Sequence, residues 1–235
     1  MRIFSRRPHG QSSETSGRAR LTQPMENTMQ KKQNPIIVGQ PALIVVDIQK
    51  SAFEAGSRGI ALMPGMAERM LRARAVIDAA REGGVPIIFL QESHRKSGID
   101  LGRELDGDED EHCMEHWAST AIAAEEVGLR DDDDVIVKRR YSGFIGTDME
   151  ILLKGHKADT LILIGGLTNV CVHYTFADAH QKDFHVRVVE DAVAGSDLAA
   201  HDAALIAMEY LQHGARRTAD EMIAAFAAHD ARKVA

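Results

Sequence analysis

Short apolar runs recur along the chain from about residue 40 onward, separated by polar segments that contain Gly or Pro. Their continuous Val, Ile and Leu content is typical of strands buried on both faces, because a strand with one exposed face gives an alternating pattern. We predict five such strands, at residues 42–47, 85–91, 134–139, 160–165 and 185–191, and a short sixth strand at 215–217.

Helical patterns fill most of the segments between these strands. The first helix follows Pro64 and ends at the paired glycines 83 and 84, and its apolar residues recur at helical spacing: Met66, Met70, Ala73, Ile77 and Ala80. Three further helices are expected after residue 147, over 170–182 and over 196–214, with Ser196 as the N-cap of the last. Thr147 with Glu150, and Thr218 with Glu221 at the start of a terminal helix, have the capping-box spacing.

The alternation of strands and helices predicts the fold class. It favours an α/β, doubly wound, Rossmann-like domain with a mostly parallel sheet of about six strands and helices on both faces. In such sheets, functional residues gather beyond the carboxyl ends of the strands, where the strand order reverses.

Composition and charge narrow the class of protein. The 235 residues are 44% hydrophobic, which suits one domain, and the net charge of −7 gives no electrostatic reason to bind nucleic acid or an anionic membrane. No apolar run reaches the roughly 18–20 residues that span a bilayer. Residues 1–36 are polar and basic and are expected to form a flexible extension before a domain at 37–235. The two cysteines fit the reducing cytoplasm.

Three reactive side chains stand at predicted strand ends: Asp47, Lys138 and Cys171. A thiol attacks as the thiolate, and a helix start together with the Lys138 ammonium would lower the pKa of Cys171. Asp47 could accept the proton and return it to a leaving amine, which predicts amide hydrolysis through a thioester. Each residue also has a structural interpretation: a buried thiol, a capping carboxylate and a solvated strand-end charge.

Three blocks of sequence resemble the isochorismatase-like cysteine hydrolases: ALIVVDIQKSAF, VKRRYSGFIGTDMEILL and LILIGGLTNVCVHYTFADAHQKDFHVRVVEDAV. The resemblance covers about residues 38–215 and implies that Asp47, Lys138 and Cys171 form the catalytic triad. It also implies a cis peptide before Leu167, an oxyanion hole made by the backbone N–H groups of Leu167 and Cys171, and a homo-oligomer, either a dimer or a tetramer.

Within that family, the stretch LQESHRKSGIDLGRE is similar to biuret hydrolase, which implies a small ureide substrate such as biuret or triuret. Gln212 stands where biuret hydrolase has a substrate-contacting glutamine. The other expected substrate contacts are Phe53, Glu92, Arg95 and Tyr141. An N-carbamoyl amino acid is the alternative substrate, since Arg95 could bind its carboxylate. A non-catalytic α/β protein used for interaction or redox sensing is the alternative of another class.

Metal-binding nicotinamidases of the family carry a D-x-H pair after the first strand block, and no such pair follows Asp47 here. His94, His112, Cys113 and His116 offer zinc-type donor atoms, but no second clean ligand pair follows them in the sequence. We therefore expect no metal and no cofactor. The polar segment 92–117 is expected to be a lid whose end Trp117 anchors.

Overall fold

The computed structural model describes residues 35–54 and 59–234. The predicted extension falls outside these residues, except for Pro35 and Ile36. Their carbonyl oxygens accept hydrogen bonds from the buried guanidinium of Arg187, at 2.8 Å from Nη2 and 2.9 Å from Nε respectively. These two residues are therefore hydrogen-bonded to a residue of the sheet.

The sheet contains six parallel strands in the order β3-β2-β1-β4-β5-β6, which confirms the predicted fold class. The strands are β1 Gln40–Val46, β2 Ile87–Glu92, β3 Asp134–Lys138, β4 Ala158–Gly166, β5 His185–Ala194 and β6 Arg216–Arg217. The chain runs outward from β1 through β2 to β3 and then returns to the other side of β1 with β4. The strand order therefore reverses between β1 and β4, where a crevice forms beyond their carboxyl ends.

In the part of the chain that the structure describes, six α-helices cover the sheet. They are α1 Met66–Glu82, α2 Ala124–Val127, α3 Met149–Gly155, α4 His173–Gln181, α5 Leu198–Leu211 and α6 Ala219–Val234. Shorter 3₁₀ turns lie at Lys50–Phe53, Glu104–Asp106 and Ala118–Thr120. Among the described residues, no helix combines the length and apolarity that crossing a bilayer requires.

Side-chain alternation along the central strand β1 divides the hydrophobic core in two. Leu43 and Val45 face one cluster, which includes residues of α1 and α6. Ala42, Ile44 and Val46 face the other, which includes residues of α3, α4 and α5. Both faces of β1 are thus buried, which explains why its sequence is a continuous apolar run rather than an alternating one.

Two predicted helix starts differ from the structure. The N-cap of α5 is Asp197, whose side chain accepts from the Ala200 N–H, and not Ser196. The capping box at residue 147 forms only in part. Oγ1 of Thr147 accepts from the N–H of Met149 at 3.3 Å, but Glu150 pairs with Lys182. The box at Thr218 is confirmed, since the Glu221 carboxylate accepts from the Thr218 N–H at 2.9 Å.

Candidate active site

Four polar side chains meet at the carboxyl edge of the sheet. Asp47 directly follows β1 and takes the left-handed backbone conformation, with φ at +47°. Glu92 and Lys138 are the last residues of β2 and β3. Cys171 follows β4, within a π-helical turn at Thr168–Val172 that leads into α4. The structure therefore brings the three predicted catalytic residues together and adds Glu92 to them.

The ammonium of Lys138 is the centre of this group. Its Nζ lies 2.9 Å from Oδ2 of Asp47, 2.8 Å from Oε2 of Glu92 and 3.3 Å from Sγ of Cys171. The Lys138 side chain has no solvent exposure. Burial alone would lower the pKa of Lys138, but the charges of Asp47, Cys171 and Glu92 outweigh it and hold the pKa well above its usual value. Lys138 is therefore a fixed positive charge and not a proton donor near neutral pH.

The two carboxylates differ in their protonation behaviour. Burial, reinforced by the charge of Glu92, raises the pKa of Asp47 to about 6 against the opposing effect of Lys138. Burial would also raise the pKa of Glu92, but Lys138 and two histidines outweigh it, so that this pKa is well below its usual range. Asp47 is thus the carboxylate suited to exchanging a proton near neutral pH, while Glu92 remains ionised.

The prediction that the pKa of the Cys171 thiol is lowered is corrected by the structure. Burial raises the pKa of Cys171 well above its usual value, and the charge of Glu92 adds to that effect, so the lowering by Lys138 does not win. The thiol donates to Oε2 of Glu92 at 3.3 Å, and a carboxylate oxygen of Asp47 lies within 4.8 Å of Sγ. Cys171 therefore rests as a thiol. The sequence prediction was wrong on this point because the extent of burial cannot be read from the spacing of residues.

Cys171 and Asp47 line a small cavity of about 60 Å³, together with Leu167, whose peptide bond to Gly166 is cis as expected. The remaining wall is mixed in character. Apolar groups come from Ala52, Ile60, Leu62, Met66 and Val170, and polar or aromatic ones from Gln49, Glu92, Glu109, His112, Cys113, Trp117 and Tyr141. A cavity of this size suits a substrate of few heavy atoms.

Two of the predicted substrate contacts, Glu92 and Tyr141, line this cavity, but three others do not. Phe53 packs against the core beside α1. Arg95 is exposed, and its backbone N–H donates to Asp100. The side chain of Gln212 is bound at the opposite edge of the sheet, where it accepts from the backbone N–H of Val186 at the start of β5. The structure places these three side chains away from the cavity wall, because nearness in the sequence and similarity of short stretches do not fix where a side chain lies.

Gln49 and Glu109 are two polar residues of the pocket that the sequence did not predict. Gln49 is buried, and its side-chain amide bonds both the N–H and the carbonyl of Glu92, which fixes the end of β2. Glu109 lies in the acidic stretch at 106–111 and accepts a hydrogen bond from the hydroxyl of Tyr141 at 3.0 Å. Neither residue has a motif that distinguishes it from surface polar residues in the sequence.

The turn that carries Cys171 is held by polar contacts to the segment around α5. Oγ1 of Thr168 and Nδ1 of His201 lie 2.8 Å apart, and both side chains are buried. Asn169 receives a hydrogen bond from the N–H of Ser196 and donates one to its hydroxyl. These contacts fix the path of the backbone between Leu167 and Cys171.

A second polar group borders the triad and could hold a metal ion: Glu92, His94, Glu104 and His112, all buried. Nε2 of His94 lies 3.2 Å from Oε1 of Glu92 and 3.0 Å from Oε2 of Glu104, and Nε2 of His112 lies 3.5 Å from each of these oxygens. The distances are close to those between ligand atoms of a tetrahedral zinc ion, about 3.3 Å. Nδ1 of His112 lies 2.8 Å from the carbonyl of Asp110, an arrangement common for ligating histidines.

These four residues fit a divalent ion, contrary to the expectation from sequence that no ligand set exists. Protonation of the two histidines can also offset the negative charges of the two glutamates. Burial would lower the pKa of both histidines, but the glutamates outweigh it and raise the pKa of His94 to about 9 and that of His112 to about 10. The sequence did not predict this ligand set, because no motif links Glu92 and Glu104 to His94 and His112.

The parallel α/β sheet and the carboxylate–lysine–cysteine site together are typical of the cysteine hydrolases. A model of the isochorismatase domain matches residues 41–221. The chain belongs to the isochorismatase family.

Individual relatives agree with this assignment. The chain is 32% identical over 190 residues to the ureidoacrylate amidohydrolase RutB of Yersinia enterocolitica, covering 72% of this chain and 81% of that protein. Among solved structures, a cysteine hydrolase from Pseudomonas syringae matches 86% of this chain and all of its own, at 26% identity and a TM-score of 0.75. The N-carbamoylsarcosine amidase of Thermoplasma acidophilum matches 77% of this chain and 98% of its own, at 28% identity and a TM-score of 0.65.

The family assignment and the named activities of these relatives establish the reaction class. The chain is a hydrolase that acts on carbon–nitrogen bonds other than peptide bonds. The site described above supplies the chemical groups that such a reaction needs: a nucleophile, a proton carrier and a fixed positive charge.

Proposed function

We propose that this chain is a cysteine-dependent amidohydrolase that cleaves a C–N bond of a small ureide, of the biuret or triuret type, through a thioester and releases ammonia. The observation that carries the proposal is the contact of Sγ of Cys171 with Nζ of Lys138, at 3.3 Å, on the wall of a small cavity that Asp47 also lines. The relatives support the substrate class, since ureidoacrylate and N-carbamoylsarcosine both contain a ureido group.

The first step is formation of the nucleophile. When the substrate carbonyl reaches Cys171, the thiol proton passes to Asp47, whose pKa of about 6 lets it both accept and return a proton. Lys138 remains charged and stabilises the new thiolate across 3.3 Å. Because the pKa of the resting thiol is raised, the thiolate forms together with attack on the carbonyl rather than before it.

The second step is collapse of the tetrahedral intermediate. The backbone N–H groups of Leu167 and Cys171 bind its oxyanion, a type of contact whose loss costs about 3–4 kcal/mol in other enzymes. Asp47 gives its proton to the leaving nitrogen, the C–N bond breaks, and ammonia departs. The acyl group stays on Sγ of Cys171 as a thioester.

The third step returns the enzyme to its starting state. Asp47, again a carboxylate, takes a proton from a water molecule that attacks the thioester carbonyl. The C–S bond breaks, the acid product leaves, and the proton held by Asp47 returns to Cys171. Ammonia and the acid are the only products, so the reaction consumes one water molecule per bond cleaved.

These steps use protein side chains and water throughout. A divalent ion, if bound, would be held by Glu92, His94, Glu104 and His112 and would supply positive charge beside the cavity. Glu92 also contacts Lys138, so it links that group to the catalytic residues.

An N-carbamoyl amino acid amidase is the second candidate, and the structural match to an N-carbamoylsarcosine amidase favours it. The position of Arg95 does not favour it, because Arg95 is exposed and lies outside the cavity wall.

The two free thiols support a reducing compartment such as the cytoplasm, and the family resemblance supports a homo-oligomer.

An ammonia-release screen tests the proposal. The full chain is incubated with biuret, triuret, ureidoacrylate, N-carbamoylsarcosine and nicotinamide, with and without EDTA, and alongside Cys171→Ala. Ammonia from biuret or triuret that disappears in Cys171→Ala supports the proposal. Turnover of N-carbamoylsarcosine alone would favour the second candidate, and unchanged ammonia release in Cys171→Ala would exclude Cys171 as the nucleophile.

A further inference from the structure

The cavity wall has an uneven distribution of charge. Three carboxylates line it, from Asp47, Glu92 and Glu109, and the described lining residues include no arginine or lysine. Asp47 and Glu92 both contact the ammonium of Lys138. Within residues 35–54 and 59–234, Glu109 has no ammonium neighbour of this kind, and its cationic contact is Nε2 of His112 at 3.9 Å. Among the described residues, Glu109 is thus the carboxylate on the wall whose charge is least compensated.

Glu109 is also held in place. The hydroxyl of Tyr141 donates to its Oε2 at 3.0 Å, and its side chain is only 18% exposed. The Tyr141 ring packs against that of Tyr174, at 5.7 Å between centroids, which restricts the tyrosine as well. A carboxylate oriented in this way and largely removed from solvent accepts hydrogen bonds from N–H donors and repels another carboxylate.

The position of Glu109 relative to the nucleophile follows from the contacts between them. Cys171 contacts Glu92, Glu92 lies 3.5 Å from Nε2 of His112, and His112 lies 3.9 Å from Glu109. A substrate whose scissile carbonyl lies at Cys171 would therefore direct its other end along this wall. The chemistry of Glu109 would then decide which groups are accepted at that end.

We propose that Glu109, oriented by Tyr141, determines the substrate class: it accepts N–H groups of an uncharged ureide and excludes substrates with a carboxylate at the end remote from the scissile bond. This inference rests on the proposed function and selects the biuret type over the N-carbamoyl amino acid type. It assigns Glu109 a role in specificity and not in the bond-breaking steps.

A matched pair of substrates isolates the charge. N-Carbamoylglycinamide and N-carbamoylglycine have the same skeleton and differ in a terminal carboxamide against a carboxylate. We expect the wild-type chain to consume the amide with kcat/KM about 100-fold above that for the acid. In Glu109→Gln the ratio of kcat/KM for the amide to kcat/KM for the acid should fall by about 10-fold or more, mainly because kcat/KM for the acid increases.

Two control variants separate the charge of Glu109 from other effects. Glu111→Gln makes the same change of charge two residues away, at an exposed side chain outside the cavity wall, and should leave the ratio unchanged. Tyr141→Phe removes the hydrogen bond to Glu109 but keeps the Glu109 carboxylate. The kcat/KM for the amide should therefore fall, while the preference for the amide over the acid persists. Glu109→Ala replaces Glu109→Gln if the latter fails to give a folded protein by circular dichroism.

The outcomes distinguish this inference from the function on which it rests. A narrowed ratio in Glu109→Gln with an unchanged ratio in Glu111→Gln supports it. An unchanged ratio in Glu109→Gln, or a wild-type chain that consumes the acid as readily as the amide, overturns this inference and leaves the amidohydrolase in place. Consumption of none of the ureides, biuret included, overturns both.

Discussion

Nζ of Lys138 lies 3.3 Å from Sγ of Cys171, and both side chains are buried. The ammonium favours the thiolate, but burial and the charge of Glu92 act in the opposite direction and prevail, so the pKa of Cys171 is raised. Lys138 therefore does not keep a permanent thiolate. In the proposed reaction, Lys138 holds a positive charge at the place where negative charge appears during attack.

Removing that positive charge should destabilise the fold as well as the reaction. In Lys138→Met, Asp47 and Glu92 remain buried without their cation, a situation that costs about 3–5 kcal/mol of unfolding free energy. Urea denaturation measures the loss, and ammonia release should be abolished. Lys138→Met combined with Glu92→Gln should regain part of the stability and none of the activity.

The pair formed by Arg81 and Asp133 provides a control for this prediction. It is also largely buried, with Nη2 of Arg81 2.6 Å from Oδ2 of Asp133, and neither residue lines the cavity. Arg81→Met should lower stability while kcat remains that of the wild type. Equal stability of Lys138→Met and the wild-type chain would contradict the description of Lys138 as the central charge of the site.

The contact between Thr168 and His201 should affect kcat more than KM. Thr168→Val keeps the side-chain volume but leaves Nδ1 of His201 without its partner, at a cost of about 1–3 kcal/mol. Because this contact fixes the turn that carries Cys171, we expect kcat to fall while KM changes little. Steady-state kinetics separates the two constants. Lower stability with an unchanged kcat would show that the contact has only a structural role.

Gln212 should matter for stability and not for the substrate. Its side chain bonds the backbone of Val186 and the carbonyl of Phe184, so Gln212→Ala should cost about 1–3 kcal/mol of unfolding free energy. The kcat/KM of Gln212→Ala should equal that of the wild type. The same holds for Arg95→Ala, an exposed position where the free energy of unfolding should change by about 0.5 kcal/mol or less. A large loss of kcat/KM in Gln212→Ala would return this residue to the substrate site.

Alkylation should identify Cys171 as the reactive thiol. Iodoacetamide should inactivate the enzyme with one label on Cys171, because Nζ of Lys138, 3.3 Å from its Sγ, stabilises the thiolate that forms as the sulfur is alkylated. Saturating substrate should slow this labelling, since Cys171 lines the cavity. Peptide mass mapping distinguishes Cys171 from Cys113. Inactivation that follows labelling of Cys113 instead would point to a different nucleophile.

The sequence was sufficient to predict the fold and the meeting of Asp47, Lys138 and Cys171 at one edge of the sheet. Buried parallel strands are continuous apolar runs, and the residues that follow them must meet at one edge, which located Asp47, Lys138 and Cys171 before any coordinates. The same logic extends to Glu92, the last residue of β2, although the sequence indicated only a substrate contact there.

Features that depend on tertiary packing were not accessible in this way. Glu104 and His112 lie on a long irregular segment whose path brings them to His94, and no periodic pattern reports that path. The raised pKa of Cys171 follows from burial, which a strand-end position does not specify. Gln212 was assigned to the site by similarity of a short stretch, whereas its neighbour in space is the start of β5.

In the proposed reaction, Cys171 carries the acyl group of the substrate during turnover. Rapid quenching of the full chain with biuret, followed by intact-protein and peptide mass spectrometry, detects this acyl-enzyme. We expect a transient mass increase equal to biuret minus ammonia, located on Cys171 and absent in Cys171→Ala. Ammonia release without any adduct, or an adduct that persists in Cys171→Ala, would contradict it.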